Sequence, residues 1–303
     1  MTKDQRDGLL YLLLAAGGFA FMPTLAKTIY AYSTFEPIDI SLWRFIFAVP
    51  LIWALVWMRG RAQPVKSKSP LPVRNIMLMG VVFSLASLTA FWGLERLPAS
   101  TFIVLFYTYP AIVVILSSFL GEPIKRMAWV ALAMALFGVI LTVPDFMTVG
   151  ALDMVGVGFA FANAIVAAIY YLMSKRILAG VKSVFSASAY MMFGTLCVLL
   201  LLIPIRGIQF PNNIETLLSL LTIAVVCTVM PIFATNQGIQ KVGASQASLI
   251  STAEPVMSMV VAMVLLGEII LPIQWLGAAF IVGSVILLQV RPARKVNVVT
   301  DPI

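Results

Sequence analysis

The sequence contains no histidine among its 303 residues, and charged residues make up only 11% of it. Without imidazole, the chain lacks the side chain that most often serves as a base, proton shuttle or metal ligand near neutral pH. Its two cysteines, Cys197 and Cys227, both lie in apolar runs, which argues against a disulfide framework or a thiolate metal site. We therefore expect neither a metal nor any other cofactor.

Apolar residues are abundant instead: they make up 61% of the chain, and the mean hydropathy is +1.04. Soluble domains are about half apolar and a quarter charged, so this composition indicates a polytopic membrane protein. Apolar runs that could span a bilayer, at about 20 residues each, occur near residues 8–30, 38–58, 74–94, 98–120, 126–144, 154–175, 184–204, 216–238, 245–266 and 270–290. The sequence predicts an all-α fold with ten transmembrane helices.

One stretch of the chain occurs twice, at residues 93–122 and 238–268. An offset of 145 residues, which one inserted residue later changes to 146, matches Gly93 with Gly238, Ala99-Ser100 with Ala244-Ser245, Pro110 with Pro255, and Gly121-Glu122 with Gly267-Glu268. The first helix is repeated as well, because the letters GFAF at residues 18–21 recur at 158–161. We predict two five-helix repeats, 1–144 and 154–290, and a cytoplasmic tail at 291–303. An odd number of helices in each repeat gives the two copies inverted topology.

Basic residues predict the orientation, since short cytoplasmic loops carry an excess of lysine and arginine. With the amino terminus inside, 16 of the 20 basic residues fall in inner segments, and only Arg96 and Arg206 fall in outer loops. Both termini are therefore expected in the cytoplasm, with the loop at 145–153 outside. Glu122 and Glu268 begin the fifth and tenth helices, where a carboxylate suits the positive end of the helix dipole.

Prolines interrupt several of the predicted helices, at Pro23, Pro110, Pro231 and Pro255. A proline inside a helix removes one hydrogen bond and frees the carbonyl group four residues earlier. For Pro110 and Pro255 these are the carbonyl groups of Phe106 and Ser251. In hydrocarbon such groups persist only where protein or a water-lined cavity satisfies them. Matched interruptions in two halves point to the central site of a transporter.

These features together resemble the drug/metabolite transporter superfamily, EamA type. The resemblance rests on two inverted five-helix repeats, on Trp43-Arg44-Phe45 in the second helix, and on the paired Pro…Gly-Glu segments. Within that group the chain is similar to the bacterial aromatic amino acid exporters of the YddG type. The resemblance implies a bacterial inner-membrane protein that exports small metabolites by alternating access, with a cavity between its halves. The seventh helix has no counterpart of Arg44, so any role of that residue is not symmetric.

Ionisable side chains within the membrane are the first candidates for function. Glu254 is the acidic residue nearest the centre of any predicted helix, directly before Pro255. It could carry a coupling proton, pair with a substrate ammonium group, or make a structural hydrogen bond. Lys27 and Arg44 lie in the outer halves of the first two helices. They could form an electropositive vestibule for a carboxylate, or extend to the membrane surface.

Helical spacing places other candidates opposite one another. Helix four carries Phe102, Phe106 and Tyr109 on the face that corresponds, in the repeat, to Ala247, Ser251 and Glu254 of helix nine. One wall would therefore be aromatic and the other small and polar, although such stripes also serve plain helix packing. The remaining candidates for the cavity are Trp92, Asn163, Tyr170 and Asn236.

The resulting prediction is a secondary transporter that exports amphipathic metabolites, with aromatic or other apolar amino acids first. The aromatic wall would hold an apolar side chain, and Glu254 with the two amides would meet the polar end. The alternatives are a broad-specificity drug or metabolite exporter, a channel, or a membrane enzyme, for which we find no reaction centre in the sequence. The expected partners are a small solute and the lipid bilayer, without nucleic acid, and we expect a monomer.

Overall fold

The structure is a computed structural model that describes residues 3–62, 71–121, 124, 126–142, 153–266 and 269–289. Regular structure in these ranges is helical throughout. Glu122, Gly267-Glu268, the loop at 145–152 and the tail at 291–303 lie outside the described residues.

The helices follow one another along the chain with short connections. They are α1 (Lys3–Phe19), α2 (Met22–Tyr32), α3 (Pro37–Ala62), α4 (Val73–Arg96), α5 (Ala99–Phe106), α6 (Tyr109–Phe119), α7 (Arg126–Leu141), α8 (Met154–Ile177), α9 (Val184–Leu200), α10 (Ile203–Arg206), α11 (Ile214–Ala224), α12 (Met230–Val242), α13 (Ala244–Ile250), α14 (Glu254–Leu266) and α15 (Pro272–Gln289).

Four pairs of consecutive helices are separated only by a short break or an irregular turn. In each pair the second helix has a proline in its first turn. Pro23 and Pro110 occupy the first turns of α2 and α6, after short breaks from α1 and α5. A π-helical turn at Val225–Val229 precedes Pro231, and a 3₁₀ turn at Ser251–Ala253 precedes Pro255. The missing N–H of proline is tolerated in a first turn, so the chain restarts a helix there.

Six segments are long and apolar enough to cross a membrane: Lys3–Tyr32, Pro37–Met58, Val73–Arg96, Thr101–Phe119, Met154–Ile177 and Ile214–Val242. Three shorter apolar helices cover Arg126–Leu141, Val184–Leu200 and Pro272–Leu287. The outer surface also carries many exposed large apolar side chains, for example Leu10, Phe137 and Val264. So large an apolar surface suits lipid rather than water. The predicted class, a helical polytopic membrane protein, is confirmed; the count of ten spans stays a prediction.

The helices pack closely around α4 and α12. α4 packs against α8 and α9, α1 packs along α12, and α7 pairs with α15. The last pair crosses at two glycines, because a Cβ atom on Gly138 would lie 2.7 Å from the carbonyl oxygen of Gly277, and one on Gly277 would lie 2.6 Å from that of Gly138. Small residues of this kind allow helix backbones to approach in a membrane.

α8 begins at a well-formed cap. The Asp153 carboxylate accepts hydrogen bonds from the backbone N–H groups of Val155 (2.8 Å) and Gly156 (3.3 Å). It also accepts one from the Arg96 guanidinium at 3.1 Å. The hydrogen bond from Arg96, together with those from the backbone, holds the pKa of Asp153 below its ordinary value. This contact joins the end of α4 to the start of α8.

Candidate functional site

A cavity of about 140 Å³ lies where the interrupted helices meet α4 and α8. Its wall is mostly apolar and comes from α1, α2, α3, α4, α5, α6, α8, α12, the 3₁₀ turn and α14. Its polar and aromatic lining residues include Arg44, Phe83, Ser87, Phe102, Phe106, Tyr109, Asn163, Tyr170, Tyr171, Ser251 and Glu254. Pro23 also lines it.

Aromatic rings line the cavity in an unbroken series, here called the aromatic arc. Its six members are Phe102, Phe106, Tyr109, Tyr171, Tyr170 and Phe83, and successive ring centroids are 6.0, 4.9, 5.4, 6.1 and 5.2 Å apart. Phe102 and Phe106 are stacked at 6°, whereas Phe83 meets Tyr170 edge-on at 65°. Both geometries are favourable for aromatic pairs. The arc joins α5 and α6 to α8 and α4.

The 3₁₀ turn lies against this arc. The Tyr107 hydroxyl donates to the carbonyl oxygen of Ser251 at 3.4 Å, and the Tyr109 hydroxyl donates to that of Ser248 at 3.5 Å. The Tyr171 hydroxyl is hydrogen-bonded with Ser251 Oγ at 2.8 Å. Three tyrosines therefore hydrogen-bond backbone and side-chain oxygens at the helix break before Pro255. Among the described residues, no side chain donates a hydrogen bond to the Phe106 carbonyl group, which Pro110 frees.

Glu254 begins α14 and borders the cavity with Ser251. Tyr107, whose hydroxyl donates to the Ser251 carbonyl oxygen, lies close to this carboxyl group. Among the described residues, Glu254 takes part in none of the ion pairs, which include those of Arg6, Arg96 and Lys241. A carboxyl group of this kind can exchange a proton or receive a cation.

Arg44 also borders the cavity, and only 1% of its surface is exposed. Its Nε donates to Thr228 Oγ1 at 2.6 Å, and its Nη2 donates to the Cys227 carbonyl oxygen at 3.1 Å. Both acceptors belong to the π-helical turn. The guanidinium carbon also lies 5.9 Å from the centre of the Phe83 ring, at the end of the aromatic arc. Arg44 thus lines the central cavity and does not extend to the membrane surface.

The two amides predicted for the cavity have different environments. Asn163 lines the cavity, and its Nδ2 donates to the Ala86 carbonyl oxygen (2.6 Å) and to Thr89 Oγ1 (2.9 Å). Asn236 is buried behind the wall, where its Oδ1 accepts from Tyr170 (2.7 Å) and Ser174 (3.0 Å). Its Nδ2 donates to Ser188 Oγ at 3.0 Å. Asn236 supports Tyr170 rather than bordering the cavity.

Two other predicted residues lie away from the cavity wall. The Lys27 ammonium group donates to the carbonyl oxygen of Leu97, the C-cap residue directly after α4, at 3.0 Å. A cation at this end of a helix is favourable. Trp92 stacks on Phe159 of α8, with ring centroids 5.3 Å apart. Both contacts join helices at the edge of the site.

Sequence reasoning missed Phe83, Tyr107, Tyr171 and Thr235, of which all but Tyr107 line the cavity. Tyr171 stands eight residues after Asn163, so continuing the helical face from Asn163 would have reached it. Phe83 shares a face with Ser87 in the same way. No group of three or more histidine, cysteine, aspartate or glutamate side chains with the arrangement of a metal site occurs in the described ranges.

Comparison with known proteins gives relatives over almost the whole chain. The model of the EamA-like transporter family matches residues 6–143 and again 154–290. The chain is 26% identical over 306 residues to a Salmonella typhimurium protein named uncharacterized inner membrane transporter YicL. The alignment covers 96% of this chain and 97% of that protein. It is also 26% identical over 289 residues to the uncharacterized transporter YcbK of Bacillus subtilis, covering 91% of this chain and 90% of that one.

Shorter and structural matches agree with this. The protein RarD of Salmonella typhi is 27% identical over 178 residues, or 58% of each chain. A crystal structure that is 18% identical aligns with a TM-score of 0.76 over 93% of this chain and 96% of that one, which supports the fold. The resemblance to EamA-type transporters is confirmed, while the narrower similarity to aromatic amino acid exporters stays a prediction. With a family match in both halves and apolar helices throughout, this chain belongs to the EamA-like transporter family.

Proposed function

We propose that the protein is a secondary transporter that exports small amphipathic metabolites, foremost aromatic and other apolar amino acids. Its two inverted five-helix repeats, 1–144 and 154–290, would rock about the cavity and open it alternately to the two sides of a bacterial inner membrane. Both termini would face the cytoplasm, and the monomer would be sufficient.

The observation that carries this proposal is the composition of the cavity wall. The aromatic arc offers a continuous surface for an apolar or aromatic side chain, whereas Glu254 offers a carboxyl group without a cationic partner among the described residues. A solute with an apolar end and an ammonium group satisfies both. Ligand sites of transporters commonly combine interrupted helices with such polar groups.

Pairwise packing supports the inverted repeats. α1 and α8 are the first helices of the two proposed repeats, and α4 and α12 are the third. α1 packs on α12 while α8 packs on α4, so the two contacts exchange when the repeats are exchanged. α7 and α15, the last helices of the two repeats, meet at Gly138 and Gly277. This pattern is what a two-fold axis between the repeats would produce.

A broad-specificity exporter is the second candidate, because the surface of the cavity wall is mostly apolar. Such a wall would accept many hydrophobic solutes with little discrimination. In that case the ammonium group of an amino acid would add little to its affinity, which separates the two candidates.

Counterflow in proteoliposomes tests the proposed function. Vesicles loaded with unlabelled phenylalanine, leucine or alanine are diluted into a trace of the labelled solute. We expect transient accumulation of label above equilibrium for phenylalanine and leucine, and less for alanine. Protein-free liposomes are the control. Entry that only approaches equilibrium, for every solute, would indicate a channel and contradict the proposal.

A further inference from the structure

The guanidinium group of Arg44 is only partly used by the protein. It has five N–H donors, of which one on Nε goes to Thr228 Oγ1 and one on Nη2 goes to the Cys227 carbonyl oxygen. No further hydrogen bond from Arg44 occurs within the described residues. Three donors, two on Nη1 and one on Nη2, are therefore left for another acceptor.

The positive charge of Arg44 is also not matched by a carboxylate. The ion pairs of the described residues do not include Arg44. Its other close neighbours are the aromatic rings of Phe45, Phe83 and Phe91, with centres 5.4, 5.9 and 6.0 Å from the guanidinium carbon. Cation–π contacts stabilise a cation, but a buried charge without a counter-charge remains costly.

The position of Arg44 gives an anion access to these donors. The residue borders the cavity, and its neighbours on the cavity wall from α4 include the small side chains of Ala86, Ser87 and Ala90. Thr228 holds Nε from the π-helical turn and in turn donates to the Ile223 carbonyl oxygen at 2.7 Å. These contacts fix the guanidinium group on the side of the π-helical turn, and its three remaining N–H groups are left for a ligand. Arginine in such a setting suits planar, bidentate oxyanions.

We propose that Arg44 is the carboxylate-binding residue of the central cavity, with the substrate lying along the aromatic arc between Arg44 and Glu254. The inference rests on the proposed transport of amino acids and narrows it to solutes with a free carboxylate. Zwitterions with an apolar side chain would satisfy both charged groups, whereas the corresponding amides and amines would leave Arg44 unmatched. The site would therefore distinguish an amino acid from an amide or amine of similar size by the charge of its carboxylate.

Ligand pairs that differ only in the carboxylate test this without altering the protein. The midpoint of thermal unfolding of purified wild-type protein is measured against phenylalanine and phenylalaninamide, and against 3-phenylpropionate and 3-phenylpropanol. We expect each carboxylate to bind about 10- to 100-fold more tightly than its neutral partner, the range of charge-assisted hydrogen bonds. Equal affinity within either pair overturns the inference.

Substitution then assigns the preference to Arg44. Arg44→Gln should remove the discrimination within each pair, and Arg44→Lys, which retains the charge but not the fork, should retain part of it. Thr228→Val should weaken this discrimination by less than Arg44→Gln does, because the charge of Arg44 stays and only the orientation of its guanidinium group is loosened. Arg96→Gln, the same change at a residue paired with Asp153 outside the cavity, is the matched control. Discrimination that survives in Arg44→Gln overturns the inference.

The two proposals fail in different ways. If no amino acid shows counterflow, the proposed function is wrong, yet selective stabilisation by 3-phenylpropionate over 3-phenylpropanol would still support an oxyanion site at Arg44. If phenylalanine and phenylalaninamide are transported equally well, transport stands and the role of Arg44 is refuted.

Discussion

The Tyr170 hydroxyl donates to the carboxamide oxygen of Asn236 at 2.7 Å, and this bond connects the cavity wall to the packed interior behind it. Ser174 shares the same oxygen, and Ser188 accepts from the amide nitrogen. One side chain of α12 thereby links α8 and α9. Buried amides of this kind are stable only when their donors and acceptors are matched.

Asn236→Ala should destabilise the protein by about 2–4 kcal/mol, because it leaves the buried hydroxyl groups of Tyr170, Ser174 and Ser188 with fewer partners. Tyr170→Phe, which removes only one hydroxyl group of this network, should lower the free energy of unfolding by about 1 kcal/mol. Chemical or thermal unfolding in detergent measures both. Asn212→Ala, at an exposed loop position, serves as control. An Asn236→Ala variant as stable as wild type would show that the network contributes little.

The contact of α7 with α15 should tolerate no side chain at its centre. Gly138→Ala would bring Cβ to 2.7 Å from the Gly277 carbonyl oxygen, and we expect a loss of about 1–3 kcal/mol from overpacking. Gly158→Ala is the matched control, because a Cβ there meets nothing within 4 Å. That change should be neutral or stabilise α8 by up to about 1 kcal/mol. Equal unfolding midpoints for the two variants would contradict the close crossing.

The aromatic arc should set the preference for side chains. Tyr109→Ala and Phe106→Ala should weaken transport of phenylalanine more than that of leucine, by about 1–3 kcal/mol per ring where stacking and burial are lost. Counterflow at varied substrate concentration measures the difference. Phe161→Ala removes an exposed ring from the same bundle and should leave the preference unchanged. An equal loss for both solutes would mean that the two rings only pack.

Glu254→Gln separates the roles open to that residue. If Glu254 pairs with the substrate ammonium, which we favour, the variant should bind amino acids about 2–4 kcal/mol more weakly and spare solutes without an ammonium group. If it carries a coupling proton, accumulation driven by a pH gradient is lost while exchange persists.

A purely structural role gives a third pattern for the same residue. Glu254→Gln, which can still form a structural hydrogen bond, would then behave like wild type, whereas Glu254→Ala would destabilise the protein. Driven transport, exchange and unfolding are measured on the same preparations. Normal driven transport and exchange for every substrate in Glu254→Gln would exclude Glu254 from the site.

Orientation in the membrane is tested by labelling single cysteines in intact cells with an impermeant reagent, after Cys197 and Cys227 are changed to serine. The loop between α10 and α11 should face outwards and the loop between α8 and α9 inwards. Asn212→Cys should therefore react in intact cells, and Lys182→Cys only after the cells are opened. The reverse pattern would invert the proposed topology.

Some features of the molecule follow from the sequence alone because they depend on local chemistry. A proline lacks its N–H wherever it stands, so the breaks near Pro23, Pro110, Pro231 and Pro255 could be predicted without a fold. The apolar runs likewise predict a chain embedded in a lipid bilayer, since a run of about twenty apolar residues is long enough to span it. The family resemblance followed from the same motifs.

Tertiary structure decided which of the candidate side chains meet. Asn163 and Asn236 present the same signal, an amide in an apolar helix, yet one borders the cavity and the other is enclosed by Tyr170, Ser174 and Ser188. Lys27 and Arg44 were both candidates for the vestibule, but Lys27 caps α4 while Arg44 borders the cavity. Sequence spacing groups residues on one face of a helix, but the rotation of that face is set by packing against neighbouring helices. That rotation depends on contacts between residues as distant as Arg44 and Thr228, which only the folded bundle brings together.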